Sequence, residues 1–276
     1  MFKELIQYVQ ENKHHPFFMY WATPIPHVPL QAPQQWIDYY IKKFGNETPY
    51  TGNKGYFPCR YPHATYAAMI SYLDEQVGIL INELKTAGIY DNTLILFTSD
   101  NGPTFNGGSD SPFFDSAAPF KSEQGWGKTS LNEGGIRVPM IAVWKGKIKP
   151  NSVTNHMATG WDVMPTLCEI AKIKSPATDG ISFYPALISK KQSKHNFLYW
   201  EFPETGGSKA VRMGKWKGII KSYIKTKNRT IKLYDLEQDP REQNDVAKDH
   251  PEIIQQMITI LQKEHIDPEN PEFRME

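Results

Sequence analysis

The chain has 276 residues, enough for one large domain or two unequal ones, and 31 Lys and Arg stand against 30 Asp and Glu, a formal net charge of +1. A charge so balanced argues against a nucleic-acid binder, which carries a concentrated basic face. Hydrophobic residues (39%) and aromatics (13%) supply a packed core, and no apolar run approaches the ~20 residues that a membrane span needs.

The first element is an amphipathic helix over 2–12, and no signal peptide is visible ahead of it. Pro16, Phe17, Phe18, Met19, Tyr20 and Trp21 follow, an apolar run that reads as a buried strand. Pro24, Pro26 and Pro29 then forbid regular structure, so His27 sits on a stiff loop past a strand end. The span 34–62, rich in Tyr, Gly and Pro, reads as irregular surface. Met69, Leu73, Val77, Leu80 and Leu84 give one apolar stripe of a helix over 66–85, and Gly88 stops it.

A fully buried strand is expected over 93–98, emptying into the polar turn Ser99, Asp100, Asn101, Gly102. A long Gly/Ser/Pro-rich loop carries Lys121, Lys128 and the run Glu133, Gly134, Gly135, Ile136, Arg137, Val138, Pro139. A second buried strand follows over 140–144, then a helix over 161–173, capped by Asp162 or a neighbour. Cys168 falls in that helix as a small core residue; with Cys59 it makes no disulfide framework, and no Cys/His cluster has zinc spacing. Helices alternating with apolar strands indicate an α/β layer structure.

Past a basic linker over 190–194 the pattern changes. Strand-like pieces over 197–202, 210–220 and 230–236, separated by Gly, Asn and Asp turns, indicate an antiparallel sheet, and a last helix covers 251–265. The expected division is 1–190, an α/β catalytic portion, and 191–276, a smaller antiparallel-sheet-plus-helix subdomain. Lys215, Trp216 and Lys217 read as strand residues with a solvated face.

Several positions draw chemical interest. Asp100 and Asn101 offer the oxygen ligands that hard cations such as Ca²⁺ and Mg²⁺ take, at a strand end where α/β proteins collect ligands; a plain Asx turn explains the same tetrapeptide. His27 has the proton chemistry of a general acid, histidine's reference pKa being ~6.5, or is an ordinary surface histidine. Lys128, between Gly127 and Thr129, either presents an ammonium to an anion or is solvated. Trp200 and Glu201 suit either a sugar at the substrate entrance or alternating strand packing. Glu133 reads as a residue that orients its loop.

In their order these pieces resemble the second half of the type I sulfatases, of the alkaline phosphatase superfamily. The resemblance runs through the stretch around His27, the segment 98–102, the lysine loop 127–139 and the C-terminal turn with Leu233, Tyr234, Asp235, Leu236, Asp239, Pro240, Glu242 and Asn244. It implies an alkaline-phosphatase-like α/β sandwich and hydrolysis of sulfate esters, those of a sulfated carbohydrate by analogy with similar bacterial members. It also implies roles: Asp100 and Asn101 as ligands of Ca²⁺ or Mg²⁺, His27 on the sulfate and as acid for the leaving oxygen, and Lys128 stabilising charge on both. The family's nucleophile is a formylglycine made from Cys/Ser-x-Pro-x-Arg, and no such motif stands here: Cys59, Arg60, Tyr61, Pro62 has the letters in the wrong order. The family's early Asp pair is absent too. The expectation is a portion that lacks the nucleophile segment, inactive alone, with a sheet edge uncovered and the N-terminal portion as a partner. A periplasmic or exported compartment is suggested by the resemblance only. Rival readings are a phosphomonoesterase or phosphodiesterase on the same scaffold, which the Glu-Gly-Gly-x-Arg-Val-Pro loop disfavours, and a non-catalytic binding or complementing module.

Overall fold

The structure, a computed structural model, describes residues 2–53 and 55–275. In chain order it forms α1 (Phe2–Asn12), α2 (Gln34–Phe44), α3 (Pro62–Thr86), β1 (Ile95–Thr98), α4 (Ser111–Phe114), α5 (Glu133–Ile136) and β2 (Met140–Val143). There follow α6 (Val163–Ala171), α7 (Tyr184–Leu187), β3 (Leu198–Phe202), β4 (Ser208–Met213), β5 (Trp216–Lys221), β6 (Lys232–Asp235) and α8 (Pro251–Lys263). These elements fall into two compact units: Met1–Phe97, Thr104–Ser111 and Ile141–Pro150 in the first, Thr98–Pro103, Pro112–Met140 and Asn151–Glu276 in the second.

The first unit is built on α3. Pro62 opens that helix, where a missing N–H costs nothing. The Glu47 carboxylate then accepts the next two N–H groups, His63 at 2.7 Å and Ala64 at 3.0 Å. Leu80 and Leu84 of α3 meet Leu5 and Val9 of α1 in a buried cluster, and Phe17, Met19 and Trp21 pack against it. The run 16–21 is extended but joins no strand ladder among the described residues. Its odd positions Phe17, Met19 and Trp21 pack on the helices, whereas Phe18 and Tyr20 are 67% and 81% exposed. The span 34–62 is not all irregular, because α2 lies in it. Trp36 and Tyr40, one helical turn apart, dock it on α3 through Glu75 Oε2 (2.9 Å) and Ser71 Oγ (2.8 Å). β1 and β2 pair in a two-stranded sheet. Both were expected to be fully buried, yet Phe97, Ile141 and Val143 are exposed.

The second unit centres on an antiparallel sheet in the order β3-β4-β5-β6. The piece expected as one strand over 210–220 is a hairpin: Gly214, at φ +53°, turns the chain, and Met213 pairs with Trp216. The period of two sorts the strands cleanly. Val211, Ile220 and Leu233 face α8 and enclose Met257, and Gly218 admits it, since a Cβ there would lie 2.3 Å from the Met257 sulfur. Ala210, Ile219, Tyr234 and Leu236 line the opposite face, packed with Leu131, Ile136 and Trp200. Asp162 precedes α6, but its side chain does not cap that helix: the buried carboxylate accepts the Thr159 N–H (2.8 Å) and Ile181 N–H (2.7 Å) and pairs with His195 (2.8 Å). No helix among the described residues is long and apolar enough to cross a membrane.

Candidate active site

The oxygen donors sit where β1 ends. Asp100 is exposed and Asn101 half-buried. Ser99 Oγ donates to the Asn101 carbonyl (2.9 Å), and the Asn101 amide donates to the Gly102 carbonyl (2.9 Å). The Asn101 side-chain oxygen and the Asp100 carboxylate are thereby kept as acceptors, and Asp100 meets no cationic side chain among the described residues.

Glycines weld this turn to the lysine loop. Gly102 N–H donates to the Gly135 carbonyl (2.8 Å) and Lys128 N–H to the Pro103 carbonyl (3.0 Å). A Cβ on Gly102 would fall 1.8 Å from the Gly134 oxygen, one on Gly134 1.7 Å from the Lys121 oxygen, and one on Gly127 2.6 Å from the Pro103 oxygen. Three backbone segments, 99–103, 121–130 and 132–137, thus touch where only glycine fits. Asp100, Asn101 and Lys128 are thereby brought onto one framework in the second unit.

That framework is anchored through Glu133. Its carboxylate, 1% exposed, takes Lys217 Nζ at 2.8 Å, Arg212 Nη1 at 2.8 Å and Arg137 Nη1 at 3.3 Å. Its N–H donates to Glu242 Oε2 at 2.7 Å. Burial pushes the Glu133 pKa up, but the charges of Lys217, Arg212 and Arg137 outweigh it and hold the group below the usual glutamate range. Glu242 is raised by burial, and its Oε1 has no hydrogen-bond partner. The loop-orienting reading of Glu133 fits this geometry; the solvated reading of Lys217 does not, since Lys217 is fully buried. The missed signal was the strand period: Lys217 shares its face with Ile219, a core residue.

His27 lies in the first unit. Its N–H closes a turn onto Pro24 O (2.6 Å), and its Nδ1 lies 2.6 Å from the Val28 carbonyl. That contact assigns the proton to Nδ1 and leaves Nε2 for a ligand. The ring stands edge-on to Tyr56 at 6.1 Å. Gly107, at φ +64°, backs the loop: a Cβ there would lie 2.6 Å from Val28 Cγ1.

Trp200 and Glu201 lie on opposite faces of the sheet. Trp200 packs on the cluster that holds Leu131 and Ile219, its ring 6.1 Å from that of Trp161. Glu201 lies on the α8 side, where its carboxylate takes Lys209 (2.7 Å), His265 (2.7 Å) and the Tyr199 hydroxyl. Trp200 thus packs on one sheet face, and Glu201 belongs to a polar cluster on the other.

Oxygen donors of the Asp100–Asn101 kind suit Ca²⁺ or Mg²⁺, but such cations take six or more ligands. Among the described residues no three His, Cys, Asp or Glu side chains gather as a metal-binding group. The donor set fits a hard cation in kind and would supply only part of its shell.

A strand end bearing hard oxygen donors thus has a lysine loop held beside it on a mixed helix-and-sheet framework. The family model "Sulfatase" matches residues 1–173, and the model "N-sulphoglucosamine sulphohydrolase, C-terminal" matches 122–267. The chain belongs to the sulfatase family. It is 28% identical over 271 residues to an N-acetylgalactosamine-6-O-sulfatase of Bacteroides thetaiotaomicron, a match that covers 92% of this chain and 48% of the relative. The crystal structure of Ps i-CgsB in complex with k-i-k-neocarrahexaose superposes with a TM-score of 0.77 at 28% identity, over 95% of this chain and 53% of that one. A phosphonate monoester hydrolase of Agrobacterium radiobacter shares the fold at 20% identity, with a TM-score of 0.69 over 96% of this chain and 60% of that one. The chain thus spans about half the length of relatives that it matches.

Proposed function

We propose that this chain is the second half of the catalytic apparatus of a sulfatase that hydrolyses sulfate esters of a carbohydrate. The observation that carries the reading is the Lys128 N–H bond to Pro103 O, which ties a cationic loop to a turn of metal-type oxygen donors. Lys128 neutralises charge on the sulfate and the leaving oxygen, where fixed charges in a dry site act most strongly. His27, whose Nδ1–H is held by the Val28 carbonyl, serves as general acid to the departing oxygen through Nε2 when the ring is in its doubly protonated form. Asp100 and Asn101 hold a Ca²⁺ or Mg²⁺, which when bound polarises the sulfate group. The nucleophile, the further metal ligands and the rest of the shell come from an N-terminal portion that pairs with this one. The exposed Phe18, Phe97 and Ile141 are apolar surface suited to such a partner. The carbohydrate class is supported by the name of the Bacteroides relative and by the neocarrahexaose in Ps i-CgsB.

The test is to express the chain with its upstream coding region restored and a formylglycine-generating enzyme present, then follow sulfate release from an aryl sulfate and a panel of sulfated sugars. Activity that falls ~10²-fold or more in both His27→Ala and Asp100→Ala is expected. Turnover of phosphate esters with none of sulfate esters would move the chain to the phosphatase branch.

A further inference from the structure

We infer that the C-terminal sheet sets the reach of Lys128, with Lys217 of β5 as a positioning residue that works through Glu133 and with Arg212 of β4 as its auxiliary. This rests on the sulfatase reading and deepens it, because it makes the C-terminal sheet part of the catalytic apparatus rather than a packing layer.

The Lys128 ammonium meets no carboxylate among the described residues, so its position is inherited from its backbone. That backbone converges on Gly134 and Gly135 in α5, which is four residues long. A single turn of helix does not hold itself in place. What fixes it is Glu133, whose carboxylate bonds Lys217 and Arg212 on two adjacent strands and whose N–H bonds Glu242. Apolar packing contributes as well, since Leu131 and Ile136 meet Ile219, Tyr234 and Leu236 on the same sheet face. A buried ion pair loses more solvation than such packing would. In return, charge-assisted hydrogen bonds are directional, where an apolar contact lets a loop slide. A lysine that must meet a developing charge depends on such placement, a misplacement of ~1 Å costing about 100-fold in rate.

The experiment uses the full-length protein, matured and assayed on two substrates. One is a sugar sulfate, whose alkoxide leaving group needs the Lys128 charge; the other is 4-nitrophenyl sulfate, whose leaving group needs it little. Lys128→Ala sets the reference, with a ~10²-fold loss of kcat on the sugar sulfate and a much smaller loss on the aryl sulfate. Lys217→Met is expected to repeat that split, losing ~10–100-fold on the sugar sulfate and under about 3-fold on the aryl sulfate. Added to Lys128→Ala it should cost little more, as expected of two residues acting through one interaction. Arg212→Gln, which leaves the buried Lys217 in place, should show the same split more weakly and serves if Lys217→Met does not fold. A loss of kcat that is equal on both substrates in the Lys217 and Arg212 variants would mark a merely structural role and overturn the inference. If Lys128→Ala itself shows no split, it is the role assigned to Lys128 that fails.

Discussion

A carboxylate as deeply buried as Glu133 survives in its charged form only because Lys217, Arg212 and Arg137 surround it. Replacing it with Gln leaves the buried Lys217 with only the Glu242 carboxylate, 4.0 Å away, as a counter-charge, and a loss of about 3–5 kcal/mol is expected, measured by urea unfolding of the full-length protein. The pH dependence has a definite sign. The folded pKa of Glu133 lies below its ordinary 4.5, so its stabilisation is complete above pH 4.5 and is lost as pH falls through the folded value. Glu242 runs the other way. Its folded pKa is raised above 4.5, so its contribution is present below pH 4.5 and is lost as pH rises through the folded value. Glu242→Gln keeps an oxygen for the Glu133 N–H and removes a charge that burial disfavours. The variant should therefore gain stability relative to the native protein between pH 4.5 and pH 7; a relative loss over that range would show that the Glu242 charge is needed by Lys217, 4.0 Å away.

At the scale of elements, the periodic signals were legible and the partnered ones were not. Helices α1 and α3 and the antiparallel C-terminal sheet follow from stripes and alternation that need no knowledge of neighbours. α2 was hidden because the prolines and glycines that flank it dominate a composition-based reading, although Trp36, Tyr40 and Phe44 recur at helical spacing. The polar core around Glu133 could not be read as a unit, because its members lie 79 and 84 residues apart in sequence at Arg212 and Lys217. The glycine contacts were equally invisible, since a close approach depends on both segments. They also make a contrast that can be measured. Gly134→Ala would drive a methyl into the Lys121 carbonyl, whereas Gly78, inside α3, has nothing within 4 Å of its Cβ position. Gly78→Ala is expected to stabilise by about 0.5–1 kcal/mol through helix propensity alone. Gly134→Ala is expected to destabilise the protein and to lower kcat together, because 121–130 and 99–103 both touch it. Equal and small shifts in melting temperature for the two variants would mean that the backbone weld gives without cost.

On the scale of the molecule, the residues assigned to chemistry amount to part of a site. On the proposed reading Asp100 and Asn101 would give two ligands toward a shell of six or more, and the formylglycine motif has no counterpart in this sequence. The two sets of residues have separate scaffolds: the weld and Glu133 for Lys128, Asp100 and Asn101, and the proline loop backed by Gly107 for His27. The 276-residue polypeptide alone is therefore expected to release no sulfate from aryl or sugar sulfates. Its affinity for Ca²⁺ by isothermal titration should be weak, and it should strengthen by orders of magnitude when the upstream segment is present in the same chain. Adding that segment as a separate polypeptide should restore turnover if the exposed Phe18, Phe97 and Ile141 form part of the surface on which it folds, and Ile141→Lys should then weaken the complementation. Strong sulfatase activity from the isolated chain would refute the division of labour proposed here, because it would require a nucleophile among residues to which no such role has been given.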